Sequence, residues 1–474
     1  MKVLVMGLGL HGGGLASVRY LASRGAEITV TDLRDEKTLA PSLEQLQCFP
    51  HIRYVLGCHD QEDFKKADMV IKNPGVRPDA PFLALSRRIE TDISLFLAHS
   101  PARLIAVTGS KGKSSTASAL HWAFKAAQTQ GLFLGHAYLG GNITVSPLAF
   151  LDALRPEDTV VLELSSWQLG DLQGRRIQVG DAVGTPQALL KPRAAVFTAL
   201  LPDHLDRYGT MDAYMGDKRI LYQGQDSHDL TVAADDPWGR SFLAETRARP
   251  LMYAEKPLSD AGGWFATPQG PGLARLGGET PVEVVPPQLL IPGYHQKKNL
   301  LAAALVLLDL GLPPAFIRDT LGSFPGIEHR LELFHEAGGV HFYNDTTATI
   351  PDAAAAAVRS FDAPVVLVTG GTDKNLDFTP LVKAAAQAKA VILLAGTGSD
   401  KLKALLDGLA CSYYGPFDSL DQAVSASLEA ARPGDVVVLS PGCASFGMFL
   451  HEFHRGRQWK EAVCRLAGKG NRNG

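Results

Sequence analysis

Short runs of apolar residues recur along the chain, and each is followed by a glycine-rich turn and an amphipathic stretch of helix length. Parallel strands that are buried on both faces give continuous apolar runs, and the helices that cover them give amphipathic stretches. The pattern therefore predicts an α/β protein whose parallel sheets are covered by helices. The predicted strands are Val3–Met6, Ile28–Thr31 and Met69–Ile71, then Leu104–Thr108, Val160–Leu164 and Ala195–Ala199, then Val365–Thr369, Ala390–Leu394 and Val436–Ser440.

These strands fall into three blocks, which we interpret as three domains at residues 1–97, 98–326 and 327–474. Two segments with many turn residues, Gln173–Arg193 and Glu255–Pro287, are predicted to be loops or irregular short strands. The predicted helices include Thr116–Ala127, Leu300–Leu310 and the alanine run Ala353–Ala357, where Asp352 and Val358 suit the first turns of a capped helix.

Composition, net charge and cysteine content limit the expected partners, redox state and location of the protein. The 474 residues are 46% hydrophobic and 20% charged, with a formal net charge of −3 and no long basic run, which disfavours nucleic acid and anionic membranes as partners. The five cysteines are odd in number and contain no CxxC pair, so we expect them to be reduced and buried. With no basic leader and no apolar stretch of about 18 residues, a cytoplasmic location is expected.

The sharpest local signal is the stretch LIAVTGSKGKSS at residues 104–115. A buried-type strand runs into a glycine turn and then into a helix, the order in which backbone N–H groups and a helix N-terminus surround phosphate oxygens. Lys113 can reach the terminal phosphates and Ser114 a magnesium ion. The predicted ATP-binding residues of this loop are Gly109, Ser110, Lys111, Gly112, Lys113, Ser114 and Ser115.

A second glycine-rich turn, Gly7–Gly12, follows the first predicted strand, and Asp32 closes the next one. This arrangement is typical of dinucleotide-binding proteins and leaves an NAD-dependent dehydrogenase open as an alternative. The dehydrogenase hypothesis must then explain a complete second nucleotide site downstream.

Further motifs resemble those of the Mur ligase family. They are the shortened phosphate loop, Val161–Leu169 (VLELSSWQL, similar to ELSSFQL), Asp203–Tyr208 followed by Tyr214 and Lys218, His295–Asn299, His329-Arg330, Asn344-Asp345, and Gly370-Gly371 with Lys374. The resemblance extends over almost the whole chain.

The resemblance implies an ATP-dependent, ADP-forming ligase that acts through an acyl phosphate, with Rossmann-like first and third domains around a central phosphate-loop domain. Lys113, His204 and Lys218 are the implied catalytic residues. Ser114, Glu163, His204 and a carbamate on Lys218 are implied to hold two magnesium ions. Asn299, Arg330 and Asp345 complete the implied ATP site.

The branch of the family that adds D-glutamate to UDP-N-acetylmuramoyl-L-alanine in peptidoglycan precursor synthesis matches best, on Ser440–Phe446 and Gly140–Ile143. We expect the enzyme to be a monomer without nucleic-acid partners. The implied acceptor-binding residues are Gly7, Gly9, Gly12, Asp32, Leu33, Arg34, Asn73, Gly75 and Asn142, and the implied glutamate-binding residues are Thr349, Lys374, Ser445 and Phe446.

The chain also departs from this branch. Thr347 and Ile350 stand where the branch has a lysine and an asparagine, Thr144 and Gly447 replace a glycine and an aspartate, and the aromatic of Glu452-Phe453 is shifted. A cation near the incoming amino acid is therefore missing. Ligation of L-glutamate or another amino acid, folylpolyglutamate synthesis and a non-catalytic nucleotide-binding regulator remain alternatives.

Overall fold

The computed structural model describes all residues except 11, 144, 178–186, 279, 292, 410 and 469–474. The chain forms two compact units: Met1–Pro287 with Lys297–Leu321, and Gln288–Gln296 with Gly322–Gly474. Three large sheets, built mainly from parallel strand pairs, confirm the predicted α/β class. Among the described helices, none is both long enough and apolar enough to cross a membrane.

The first sheet has five strands in the order β3-β2-β1-β4-β5, and all four pairs are parallel. Val5 of the central strand lies between Val30 and Ile71, and burial on both faces explains why these strands read as unbroken apolar runs. The elements are β1 Lys2–Met6, α1 Gly13–Ala22, β2 Glu27–Asp32, α2 Glu36–Glu44, β3 Arg53–Leu56, α3 Gln61–Lys66, β4 Met69–Lys72, β5 Ile89–Glu90 and α4 Asp92–His99, with a 3₁₀ helix at Pro81–Leu85.

The second sheet of the first unit has nine strands in the order β16-β15-β14-β13-β12-β11-β6-β8-β7. Its strands are β6 Arg103–Thr108, β7 Ala137–Gly141, β8 Thr159–Glu163, β11 Ala194–Phe197, β12 Leu230–Ala234, β13 Arg249–Ala254, β14 Gly262–Phe265, β15 Gly272–Arg275 and β16 Val282–Val285. A separate antiparallel pair, β9 Arg176–Ile177 and β10 Gln187–Ala188, lies in the stretch predicted to be irregular, of which 178–186 are outside the described residues.

The segment Glu255–Pro287 is more regular than the sequence predicts. Strand β14 pairs parallel with β13, and β15 and β16 extend the sheet as antiparallel neighbours. The glycines that indicate loops instead allow close packing, because a Cβ on Gly272 would lie 2.8 Å from Cβ of Val285 and one on Gly263 would lie 2.9 Å from Leu301.

The helices beside the nine-stranded sheet begin earlier than the apolar pattern indicates. Helix α5 starts at Lys113, directly after Gly112. Helix α10 starts at Tyr294, and the apolar pattern misses this start because the first residues of the helix are mostly polar. The helices are α5 Lys113–Thr129, α6 Ser166–Gly170, α7 Leu205–Tyr208, α8 Met211–Gln223, α9 Pro237–Glu245, α10 Tyr294–Asp309 and α11 Pro314–Gly322, with 3₁₀ turns at Pro147–Ala149 and Leu151–Ala153.

The six-stranded sheet of the second unit has the order β17-β18-β22-β19-β20-β21, and only β17 is antiparallel to its neighbour. The elements are β17 Glu332–Ala337, β18 Val340–Asn344, α12 Pro351–Val358, β19 Val365–Gly370, α13 Thr379–Ala385, β20 Ala390–Leu394, α14 Thr397–Asp407, β21 Tyr414–Phe417, α15 Leu420–Ala430, β22 Val436–Leu439 and α16 Glu452–Ala467.

Two smaller expectations are wrong. Helix α12 has Asp352 in its first turn as expected, but it has no capping side chain, because Pro351 opens the helix after Ile350. The five cysteines are free, as expected, but only Cys443 is buried, and Cys48, Cys58 and Cys464 are exposed. The tendency of cysteine to be buried is statistical, and these three occupy turns or the outer face of α16.

Candidate active site

The phosphate-type loop joins β6 to α5 through two glycines with positive φ. Gly112 has φ 90° at the N-cap of the 17-residue helix α5. A Cβ on Gly112 would lie 2.3 Å from Oδ1 of Asn299, so only glycine lets the loop pass α10 at this distance. Asn299, predicted from the motif, is therefore packed against the loop.

Two polar side chains of this loop hold it in place. The Ser110 hydroxyl donates to the Leu201 carbonyl at 2.7 Å and accepts from its N–H at 3.0 Å. Lys111 is exposed and pairs with Asp203 at 3.3 Å. These side chains tie the loop to the segment after β11, while Ser114 is half-buried and Ser115 buried at the start of α5. Nucleotide contacts by these residues stay predictions.

Two lysine ammonium groups converge on one carbonyl of the loop. Nζ of Lys113 donates to the Gly109 carbonyl at 3.0 Å, and Nζ of Lys218 donates to the same oxygen at 2.9 Å. Lys218 is 1% exposed. Burial, together with the positive charge of Lys113, lowers the pKa of Lys218 to about 7. The amine of Lys218 is thus partly neutral at physiological pH.

Glu163 ends β8 with an oxygen that lacks a partner. Its Oε1 accepts from Nδ2 of Asn142 at 2.8 Å, whereas its Oε2 is buried and, within the described part of the chain, receives no hydrogen bond. A buried carboxylate oxygen without a partner is costly, and a bound cation is one group that would satisfy it.

His204 stands at the N-cap of α7 in a left-handed conformation, with φ 53°. Its exposed ring lies 5.3 Å from the ring of Trp167 and 6.1 Å from that of Tyr214, centroid to centroid. The two aromatic neighbours orient the imidazole and leave it accessible to a metal or a phosphate.

One cavity of about 400 Å³ is lined both by groups of this site and by turns of the first sheet, and Glu163 is represented in its lining only through its hydrogen-bond partner Asn142. Lys113, His204 and Lys218 line it from one side, and the turns after β1 and β4 line it from the other. Of the predicted acceptor-binding residues, it brings together Gly12, Asn73, Gly75 and Asn142.

The remaining predicted acceptor-binding residues do not line this cavity. Asp32 is buried, pairs with Arg34 at 3.1 Å and accepts from the N–H of Gly9 at 3.3 Å, and its neighbour Leu33 is 69% exposed. Nδ2 of Asn73 donates to the Gly7 carbonyl at 3.2 Å, which fastens the two turns together. Gly7, Gly9 and Gly12 all have positive φ, as a tight phosphate-binding turn requires.

In the second unit, Asp345 is buried after β18. Its carboxylate accepts from the Ser440 hydroxyl at 2.6 Å and from the Leu331 N–H at 3.1 Å. Burial raises the pKa of Asp345 to about 7. The adjacent predicted residue Arg330 is exposed.

The predicted amino-acid site is partly assembled within this unit. Nζ of Lys374 donates to the Thr349 hydroxyl at 3.1 Å, while Ser445 is buried and Phe446 is 63% exposed on the loop after β22. One departure from the branch has a structural use, because the Thr347 hydroxyl donates to the His329 carbonyl at 2.9 Å. Ile350 stands at the N-cap position of α12 but its side chain makes no capping hydrogen bond, and nothing in the structure explains this residue. Thr144 lies outside the described residues.

Three family models match the chain. The description "Mur ligase MurD-like, N-terminal domain" matches residues 1–94, "Mur ligase middle domain" matches 107–307, and "Mur ligase, glutamate ligase domain" matches 329–443. A UDP-N-acetylmuramoylalanine–D-glutamate ligase of Treponema pallidum (strain Nichols) is 42% identical over 97% of both chains. An identically named ligase of Roseiflexus sp. (strain RS-1) is 39% identical over 98% of both.

The chain belongs to the Mur ligase family. Mur ligases are ATP- and magnesium-dependent enzymes that release ADP, so the predicted enzyme class is confirmed. The crystal structure of UDP-N-acetylmuramate–alanine ligase from Thermotoga maritima has a TM-score of 0.56 at 16% identity and covers 98% of this chain and 99% of that one. At that identity the likeness shows the shared fold alone.

The cavity of this Mur ligase also contains Asp92, which the motifs did not indicate. Asp92 lies at the start of α4, and its Oδ2 accepts from the Ser146 hydroxyl at 2.8 Å. Burial raises the pKa of Asp92. In the sequence, Thr91-Asp92 indicates only the start of a helix. No local pattern shows that Asp92 lines a cavity.

Proposed function

We propose that this chain joins D-glutamate to UDP-N-acetylmuramoyl-L-alanine while ATP is cleaved to ADP, through an acyl phosphate. The observation that carries the proposal is a cavity lined both by the phosphate-type loop and by the turns after β1 and β4. Such a cavity accommodates the end of a long acceptor beside the terminal phosphate of ATP.

Lys113 acts on the transferring phosphoryl group. Its ammonium lies against the carbonyls of Gly109 and Ser110, so it is held at the loop before substrate arrives. A preorganised cation at a phosphoryl group stabilises the charge that develops during transfer. The alanyl carboxylate of the acceptor attacks the terminal phosphate, and ADP leaves.

Ser114, Glu163 and His204 are the residues that would hold magnesium. The oxygen of Glu163 that lacks a partner and the accessible imidazole of His204 fit a divalent cation. Magnesium neutralises charge on the phosphate oxygens. We include a second ion in the proposal, held by a carbamate that forms when the neutral amine of Lys218 adds to carbon dioxide and loses a proton.

Within the first unit, Asn299 serves ATP from its place against the phosphate-type loop. The second unit binds the amino acid. Lys374, Thr349, Ser445 and Phe446 serve glutamate, supported by the 3.1 Å contact between Lys374 and Thr349. The amine of glutamate then attacks the acyl phosphate and releases phosphate.

The acceptor's uridine diphosphate would be held by the first sheet. Gly7, Gly9 and Gly12 supply a turn of positive φ in front of α1, which Asp32 and Asn73 contact by hydrogen bonds, and Leu33, Arg34 and Gly75 are the other proposed binding residues. Asn142 reaches the cavity beside Glu163. We further propose that the enzyme works as a monomer in the cytoplasm.

The test measures ADP release from the purified full chain with UDP-N-acetylmuramoyl-L-alanine and a panel of D- and L-amino acids. We expect turnover with D-glutamate that needs both ATP and the acceptor. UDP-N-acetylmuramate, which lacks the alanine, is the matched control and should be inert. A preference for L-glutamate or for a neutral amino acid would refute the assigned substrate, and absence of ADP release with every amino acid would refute the reaction.

A further inference from the structure

Helix α16 carries a buried arginine whose guanidinium, among the described residues, forms no direct contact with a carboxylate, although Glu452 acts on its charge from a distance. Arg455 is 1% exposed. Its Nε donates to the Thr346 hydroxyl at 3.0 Å, its Nη2 to the Thr346 carbonyl at 2.9 Å, and its Nη1 to the Cys443 carbonyl at 3.3 Å. Within the described part of the chain, its guanidinium pairs with no carboxylate.

The guanidinium lies where three loops meet. Strands β18, β22 and β19 are consecutive parallel neighbours, so the loops that follow them emerge at the same edge of the sheet. Arg455 contacts the first loop through Thr346 and the second through Cys443. Its Nη1 lies 3.6 Å from the position that a Cβ on Gly371, in the third loop, would take.

The same three loops carry the proposed glutamate-binding residues. Thr349 belongs to the loop after β18, Lys374 to the loop after β19, and Ser445 to the loop after β22. Backbone hydrogen bonds of 3.0 Å in both directions between Thr372 and Ala444 join two of the loops. Arg455 therefore contacts all three loops that carry the proposed glutamate-binding residues.

A buried cation that is hydrogen-bonded only to neutral oxygens leaves a positive potential around it. Removing a charge from water costs several kcal/mol, and an opposite charge nearby recovers part of that cost. Electrostatic interactions also act more strongly in a partly buried site than in water. Burial lowers the pKa of Arg455 to about 10, so the group is still charged at neutral pH.

We propose that Arg455 is a positioning residue whose buried charge makes this site select an amino acid with an anionic side chain. Arg455 acts by holding the three loops in place and by its positive electrostatic potential, without contacting the substrate. It supplies the cation that the sequence lacks at Thr347, whose hydroxyl is bound to the His329 carbonyl. The inference rests on the proposed function, in which glutamate binds at these loops.

The experiment compares glutamate with glutamine, which has the same length and a neutral side chain. For the full-length wild type, Arg455→Met and Arg455→Lys, one measures kcat/KM for D-glutamate and for D-glutamine, and KM for ATP and for the UDP-linked acceptor. Arg457→Met is the matched control, since Arg457 lies on the same helix but is exposed.

We expect Arg455→Met to lower the glutamate-to-glutamine ratio by about tenfold or more, as loss of one nearby charge in a partly buried site implies. Arg455→Lys keeps the charge but not the fork of donors, so its glutamate-to-glutamine ratio should stay within about threefold of wild type because the charge sets that ratio. KM for ATP and for the acceptor should change by less than about twofold, because neither substrate depends on this charge. Arg457→Met should match wild type.

The inference is overturned if Arg455→Met discriminates as wild type does. It is also overturned if KM for ATP and for the acceptor rises as much as KM for glutamate, which indicates a purely structural role. If Arg455→Met does not fold, Arg455→Gln, which can still donate to the loop carbonyls, takes its place and is judged by the same ratio. A wild-type enzyme inactive on glutamate refutes the proposed function instead, so the two failures are distinguishable.

Discussion

At the scale of single residues, the two lysines that share the Gly109 carbonyl are the most informative feature. Two ammonium groups near one oxygen repel each other, and burial disfavours the charged form of Lys218 further. A neutral amine beside a phosphate loop is a nucleophile that can take up carbon dioxide. The position of Lys218 is therefore compatible with a carbamate.

We predict that Lys218→Ala loses most of its activity and that small carboxylates such as formate partly restore it. Since the pKa of Lys218 is lowered to about 7, the neutral fraction that forms a carbamate grows as the pH rises through that value. Activation of wild type by bicarbonate should follow the same rise. Lys125→Ala, on the exposed face of α5, is the control. No effect of carboxylates on the variant, with no effect of bicarbonate on wild type, would exclude the carbamate.

Lys113→Ala should reduce turnover by about 10²–10³-fold, the usual loss on removing one preorganised stabilising group. The loss should appear in kcat with both substrates saturating, because the charge acts on the phosphoryl group as it is transferred. Steady-state ADP release measures it. Retention of more than about a tenth of wild-type kcat contradicts the assignment.

At the scale of elements, the start of α5 decides how the loop presents its backbone. Gly112 has φ 90° and lies against Asn299, so the turn and α10 fix each other's position. Gly131, just beyond the end of α5, has φ 69°, but a Cβ placed there would have no neighbouring heavy atom within 4 Å. Alanine substitutions at Gly112 and Gly131 therefore separate the free-energy cost of the left-handed backbone from the cost of the contact with Asn299.

We predict that Gly112→Ala and Gly131→Ala both lower the melting temperature, since a left-handed alanine costs about 1–2 kcal/mol. Only Gly112→Ala should also raise KM for ATP, by about tenfold, because it displaces Asn299 and the loop. Thermal melting and ATP titrations measure the two effects. An unchanged KM for ATP in Gly112→Ala would show that this contact does not serve the nucleotide.

At the scale of the whole first unit, one hydrophobic core runs through both of its sheets. Val5 and Phe96 belong to the same buried cluster as Leu162 and Phe197. A buried ion pair between Lys72, at the end of β4, and Asp171, after α6, adds a polar link of 2.8 Å. The two walls of the cavity are consequently parts of one packed body.

We predict that Lys72→Met destabilises the first unit by about 3–5 kcal/mol, because it leaves the Asp171 charge buried without a partner. The double variant Lys72→Met/Asp171→Leu should recover most of this loss, as apolar replacements of buried pairs often do. Urea unfolding measures both, and Arg77→Met, which breaks an exposed pair with Asp79, should leave the midpoint unchanged. A double variant as unstable as the single one would contradict the prediction.

The sequence by itself determined the features that depend on short stretches of consecutive residues. The phosphate loop consists of contiguous parts, namely the strand, the glycine turn, Lys113 and the helix, and Glu163 ends an apolar strand. The local sequence was therefore sufficient to predict these features. The α/β class followed in the same way from repeated apolar runs. Each depends on interactions between residues close together in the chain.

Only the tertiary structure decided which distant residues meet. Lys218 reaches Gly109, 109 residues earlier in the chain, and Asn299 packs on Gly112, although no periodicity encodes either contact. The sequence did not predict the antiparallel edge of the nine-stranded sheet, because glycines in a sequence usually indicate loops. Only the structure shows that these glycines pack closely against neighbouring residues. Arg455 reads as one more charge on an amphipathic helix. Its burial beneath three loops arises from the packing of α16, which a single sequence does not specify.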